Sequence, residues 1–342
     1  MSLVIDYTSG FFEAAPTGEG VGTDPATIGD ANFSDVELLL HGAGTSGSTT
    51  FTDSSNSSRT ITASGNAQID TAIKKFGSGS AEFDGTNSKL TISGNPLGSG
   101  DFTIEFWVYG ESITGNHYFM DVLGTNPIQI VRGDGSTSAP HEGLAIADTQ
   151  WRGSANTLPD STYQNNWNYI AVSRSSGTMK SFVNGTQVAS WSNSLDYSDA
   201  TIEVGSAHSS RSFTNFNFDG YIDDIRITNG VGRYTSNFTP PTAAFSNTGP
   251  TLDLSSGNVF SHAPSSNVAY AFTNPPTSGT SYDFTLKVTP SATVTIAWPA
   301  SVEWPSGTAP AAPASGETDV YTFFTTDGGT TYYGNQVGDA VS

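Results

Sequence analysis

The chain contains no cysteine, which excludes disulfide staples, zinc–thiolate sites and thiol nucleophiles. Basic residues are scarce: 12 Lys or Arg stand against 32 Asp or Glu, a formal net charge of -20. Such a chain repels nucleic acid and anionic lipid, so neither is expected as a partner, while its carboxylates remain available to divalent cations. No apolar run approaches the ~20 residues that span a bilayer. The opening MSLVIDYTSGFFEAAP lacks the basic-then-apolar order of a secretory signal, so synthesis in a host cytoplasm is expected. Charged residues are only 13% of the chain, and apolar residues at helical spacing are hard to find, which argues against a helical protein.

Gly, Ser and Thr are plentiful instead, and β-forming runs recur between turns without intervening helices. The expected fold is therefore all-β, an antiparallel jelly-roll sandwich followed by a second, smaller β-sandwich. Residues 1–36 read as an N-terminal arm that docks on a partner, with Phe11 and Phe12 as its anchors. Residues 37–246 read as the jelly roll and 247–342 as the small C-terminal sandwich. Asp84-Gly85 reads as a hairpin turn, and Asn184-Gly185 as the strongest hairpin signal in the chain. FTIEFWVYG (102–110) is apolar on both faces and is expected to be a strand covered on both sides. Asn184-Gly185-Thr186 and Asn237-Phe238-Thr239 match the glycosylation pattern and are read as plain turns. Residues 132–166 read as one long loop carrying His141, Trp151 and Tyr163, with Trp167 just after it.

The stretch FDGYIDDIRITNGVGRYTSNFTPP (218–241) opens with a strand and places two carboxylates side by side. Strict alternation puts Asp223 on the core side with Ile225 and Ile227. It puts Asp224 on the other face with Ile222, forming a solvated pair with Arg226. On that reading the two carboxylates cannot act together.

GSGSAEFDGTNSKLTI (77–92), FTIEFWVY (102–109), WNYIAVSRSSGTMKSFVNGTQVAS (167–190) and the 218–241 stretch together resemble the laminin-G-like, concanavalin-A-like jelly-roll family. The resemblance covers about 210 residues and rests on the order and spacing of four segments. It implies a lectin-type sandwich whose members often bind glycans and often hold calcium. The wording DDIRITNGVGRYTSNFTPP is similar to a version common in structural proteins of tailed phages, especially marine ones. The C-terminal text, such as WPASVEWPSGTAP and YTFFTTDGGTTYYG, is similar to modules at the ends of phage tail proteins. These resemblances imply a virion location, with other virion proteins as partners and a homo-oligomer.

Under that resemblance, calcium would be held by Asp223 with Asp84 and Asn87. The plainer alternative has Asp223 fastening backbone N–H groups while Asp84 shapes a turn. Glycan would meet Trp151, Tyr163, His141 and Trp167, because aromatic faces suit the C–H surfaces of sugars. No pair of Glu flanks an Asp on one strand, Glu105 stands alone, and the five histidines are scattered, so no enzyme is expected. The function expected is a non-enzymatic virion protein, whether decoration, fibre or tail component, with a lectin-like domain for host glycans. The alternatives are a cement protein without glycan binding, and an extracellular bacterial lectin.

Overall fold

Phe102, Ile104, Phe106 and Val108 alternate with Thr103, Glu105, Trp107 and Tyr109, and the chain there is an extended strand buried on both faces. The computed structural model describes residues 29–341, apart from 31, 135–141, 208–216, 248, 265–267 and 292. The chain folds as two compact units that part between Gly249 and Pro250.

The unit from Asp30 to Gly249 contains β1 (Val36–Leu40), β2 (Ile61–Ser64), β3 (Gln68–Asp70), β4 (Ser80–Asp84), β5 (Lys89–Ile92), β6 (Phe102–Gly110), β7 (His117–Leu123) and β8 (Ile128–Gly133). It continues with β9 (Gly143–Ala147), β10 (Trp151–Gly153), the one-turn helix α1 (Asp160–Tyr163), β11 (Trp167–Ser175), β12 (Thr178–Val183), β13 (Thr186–Ser192), β14 (Thr201–Val204) and β15 (Asp219–Asn229). The first sheet runs β13-β12-β11-β6-β15-β4-β3, with β1 also paired to β15; the second runs β10-β9-β8-β7-β14-β5-β2. Every pairing in both sheets is antiparallel. Ile104, Phe106, Ile222 and Ile227 of the first sheet meet Ile130, Ile146, Ile202 and Leu90 of the second in one apolar core. This is the antiparallel sandwich expected from the strand pattern.

Two local expectations fail. β4 and β5 lie in different sheets, so Asp84-Gly85 turns the chain from one sheet to the other and closes no hairpin. Residues 132–166 are not one loop: they hold the end of β8, the β9–β10 hairpin and α1. Small residues (Gly143, Ala145, Ala147, Gly153) hide the strand signal there.

Asn184 and Gly185 do form the β12–β13 turn, with φ of 49° and 78°, as a two-residue hairpin requires. A Cβ on Gly185 would lie 1.9 Å from the Phe238 carbonyl oxygen, and the Phe238 N–H donates to the Gly185 carbonyl. Gly185→Ala is therefore expected to destabilise this unit by roughly 2 kcal/mol, through positive φ and backbone collision, as read by chemical denaturation.

The second unit builds a five-stranded sheet from β17 (Val259–His262), β20 (Tyr282–Val288), β23 (Asp319–Thr325), β24 (Tyr332–Gly338) and β22 (Val302–Glu303). Two parallel two-stranded ladders accompany it: β16 (Thr251–Asp253) with β19 (Ala271–Thr273), and β18 (Val268–Ala269) with β21 (Ile296–Ala297). Leu252, Val268, Phe284, Tyr321 and Phe323 share its core, so a smaller all-β sandwich stands here as expected.

Candidate functional site

β15 is the central strand of the first sheet. β6 flanks one side, and on the other β4 pairs with its first half and β1 with its second. Between those halves the register slips by one residue: Asp223 faces Trp107, but Arg226 faces Glu105. The slip is a β-bulge, with Asp224 at φ 54°. A bulge inserts one residue and reverses parity beyond it. Ile222, Ile225 and Ile227 therefore all enter the core, whereas Asp223 and Asp224 both line a cavity of about 280 Å³ on the sheet's outer face. The expected alternation is thus wrong here: the two carboxylates share a face, and both are buried.

Each carboxylate is held by separate segments. Asp223 Oδ2 accepts the N–H groups of Lys75 and Phe76 at 2.8 and 3.0 Å. Asp224 Oδ1 lies 2.6 Å from His41 Nδ1, and its Oδ2 accepts the Phe245 N–H at 2.7 Å. Burial pushes the Asp223 carboxyl up to about 7, a rise that its backbone donors limit and the neighbouring Asp224 charge augments. The Asp224–Arg226 pair expected on the surface does not form. Arg226 is buried and binds Glu105 Oε1 and Asp30 Oδ2, each at 2.8 Å. Arg233 grips both oxygens of Asp30 at 2.9 and 2.7 Å. Tyr234 (at 2.6 Å) and Tyr169 donate their hydroxyls to Glu105 Oε2. Burial alone would raise the Glu105 carboxyl, but the Arg226 and Arg233 guanidiniums outweigh it and hold the group below its ordinary range. Glu105 is thus the hub of a buried charge network.

The proposed calcium ligands do not converge. Asp84 lies opposite Asp219, four residues from Asp223 along β15, a separation of roughly 13 Å. Asp84 Oδ1 accepts from Thr86 N and Ser88 Oγ at 3.0 and 2.6 Å, and its Oδ2 accepts from Asn66 at 2.7 Å. Burial opposes ionisation, but the Ser88, Asn66 and backbone donors together outweigh it and lower its pKa to about 2. Asn87 follows on the same exposed turn. Among the described residues, no group of three or more acidic, His or Cys side chains suits a metal ion. Asp84, Asn87 and Asp223 therefore do not fit one calcium ion: the first shapes a turn and the last clasps backbone, while Asn87 stands in that same turn.

The aromatic candidates are also dispersed. Tyr163 is fully buried in the inter-sheet core, against His117 and Phe119 and beneath the Arg132 guanidinium. It cannot present a face to sugar, because the turn of α1 aims it inward. Trp167 starts β11 on the first sheet's outer face and packs against Tyr109 at 5.5 Å. His141 and residues 1–28 of the N-terminal arm lie outside the described residues. Among the described candidates, Trp151 alone stands half-buried on the second sheet, on its edge strand β10.

The strand registers place Trp151 at the head of a row. Trp151 lies opposite Ala147, Ala147 opposite Gln129, and Gln129 opposite Asp121. Asp121 lies opposite Glu203, Glu203 opposite Thr91, and Thr91 opposite Thr62. Their neighbours Ile146, Ile128, Val122, Ile202 and Ile92 enter the core, so this row faces outward from the sandwich. Asp121, Gln129 and Glu203 are buried within it, Thr62 is exposed at the far end, and Lys89 Nζ binds Glu203 Oε1 at 2.8 Å. Sequence inspection missed Asp121, Gln129 and Glu203, because strands distant in sequence bring them together.

No curated protein sequence matches the chain. Domain 4 of AbnA, an extracellular arabinanase from Geobacillus stearothermophilus, is 19% identical; the match covers 57% of this chain and 93% of that one, with a TM-score of 0.40. A putative carbohydrate binding protein from Bacteroides ovatus is 21% identical over 40% of this chain and 39% of its own, with a TM-score of 0.31. The botulinum neurotoxin serotype C1 binding domain is 15% identical over 58% and 49%, with a TM-score of 0.41. Residues 84–232 match the family model described as the concanavalin A-like lectin/glucanases superfamily, and that stretch is a domain of this superfamily.

Proposed function

We propose that the Asp30–Gly249 unit binds glycan without cleaving it, and that Trp151, at the edge of the second sheet's outer face, is its contact. The observation that carries this reading is the placement of Trp151, half-buried on the edge strand β10 of the second sheet and opposite the small residue Ala147. An aromatic ring supplies a platform for sugar C–H groups, and the small side chain of Ala147 leaves room beside it. The match of residues 84–232 to a lectin/glucanase superfamily supports the same reading.

Trp151→Ala is expected to weaken binding to a polysaccharide found on a glycan array by roughly tenfold or more, the loss of one stacked aromatic, with an unchanged circular dichroism spectrum. An array without any hit would sink the glycan reading. Release of reducing sugar by the wild type would replace binding by hydrolysis.

We further propose that the chain is a tailed-phage virion component and a homo-oligomer that presents this surface to the host. The resemblance of the 218–241 wording to structural proteins of tailed phages supports it. Imaging of particles carrying labelled protein tests it: label on capsid or tail is expected, and unlabelled particles would favour the extracellular lectin. Particles whose stability, but not adsorption, suffers on loss of the protein would favour cement.

A further inference from the structure

We propose that the cavity beside the Asp223–Asp224 bulge binds a primary ammonium group, carried on a small apolar body. The cavity of about 280 Å³ is lined by His41, Phe76, Asp223, Asp224, Phe245 and Asn247 among others, and is large enough for an alkyl ammonium.

The chemistry of its walls selects the ligand. An ionised carboxylate offers about four acceptor sites and no donor. Asp223 spends two of them on Lys75 N and Phe76 N, and Asp224 spends two on His41 and Phe245 N. The remaining lone pairs can accept further donors, which a primary ammonium supplies three at a time. The nearby cations are engaged elsewhere. Lys75 turns its Nζ over the Trp107 ring, 3.9 Å from the centroid. The Arg226 guanidinium lies 3.8 Å from the Phe245 centroid and is bound to Glu105 and Asp30. Among the described residues no ion pair joins Asp223 to a cation, although the residue is 1% exposed. Burying a carboxylate without a cation is costly, and an ammonium ion in the cavity removes that cost. Phe76 and Phe245 offer ring surface to the same charge. A calcium ion is a poorer fit. It needs six to eight oxygens, and among the described residues no set of three acidic or His side chains converges.

Binding is linked to protonation. The Asp223 carboxyl, raised to about 7 by burial, must be ionised to hold a cation, so the ligand expels a proton near neutrality. The charged groups facing it are Asp224 and His41 across the bulge, with Lys75 turned away on the covering loop.

The test is isothermal titration of the full chain with n-propylammonium chloride near pH 7, in two buffers of different ionisation enthalpy. Saturable binding with proton release is expected; n-propanol and calcium chloride are expected not to bind. Asp223→Asn is expected to abolish the proton release and weaken binding roughly tenfold or more. Phe76→Leu, which leaves both carboxylates and their backbone donors in place, is expected to weaken it roughly threefold. The absence of saturable binding up to about 50 mM, equal binding of propanol, or tighter binding of calcium would each overturn the assignment. Trp151→Ala should leave this titration unchanged, which separates it from glycan binding.

Discussion

Replacing Arg226 by methionine is expected to destabilise the Asp30–Gly249 unit by about 3–5 kcal/mol, the usual cost of removing one partner of a buried ion pair. Its midpoint of thermal unfolding should fall by roughly 10 °C. The reason lies in what stays behind. Glu105 is fully buried, and without Arg226 its remaining cation is Arg233, whose Nε is 3.7 Å away. Asp30 keeps Arg233 but loses its 2.8 Å bond to Arg226. The two tyrosine hydroxyls solvate Glu105 but carry no charge to offset it. Because the damage is the stranded charge, Glu105→Gln in the Arg226→Met background should add little further loss or recover some stability. A double-mutant cycle by chemical denaturation checks this. Strictly additive losses would show that Arg226 acts through packing on Phe245 alone.

That network also shows what could and could not be seen in the residue order. The β-strands were legible, because Phe102 to Val108 alternates cleanly and Asn184-Gly185 carries the turn chemistry of a two-residue hairpin. Glu105 was not legible, since its partners arrive from Asp30, Arg226 and Arg233, which meet only when β15 is laid beside β6 and the segment after it folds back. The same holds for Asp121 and Glu203, which share a sheet row though they are far apart in sequence. The error over Asp223 and Asp224 has a different source. Parity is a reliable rule for a regular strand, and one residue at φ 54° suspends it. The bulge falls where β15 exchanges β4 for β1 as its neighbour, a change of partner that no local pattern records. Asp224 is a residue type that tolerates this conformation, but that tolerance alone does not predict it.

Between pH 4 and 6.5 the stability of this unit should be almost independent of these two buried groups, and single substitutions should expose the cancellation. Asp223 has a folded pKa raised by burial to about 7, against an ordinary 3.8. Its folded form binds more protons than its unfolded form across that window. Its stabilising contribution is therefore full below the unfolded value and is lost as pH rises towards 7, at about 1.36 kcal/mol per pH unit. His117 is the mirror case. It is buried between the sheets with neither ring nitrogen hydrogen-bonded, and burial, aided by the Arg132 charge, lowers it to about 4 from 6.5. Its unfolded form binds the extra proton, so its contribution is full above 6.5 and is lost as pH falls through 4. The two slopes are equal and opposite where the windows overlap. Asp223→Asn keeps an oxygen for the Lys75 and Phe76 N–H groups and removes the first slope. Relative to the wild type it should gain stability steadily with pH, up to a few kcal/mol near neutrality. His117→Phe forfeits no hydrogen bond and removes the second slope, so its advantage over the wild type should grow as pH falls from 6.5 to 4. Hydrogen exchange of the β6, β11 and β15 amides in the full chain, measured across this range, reads both differences. A pH-independent difference for either variant would show that its group does not titrate in the folded chain as its burial requires.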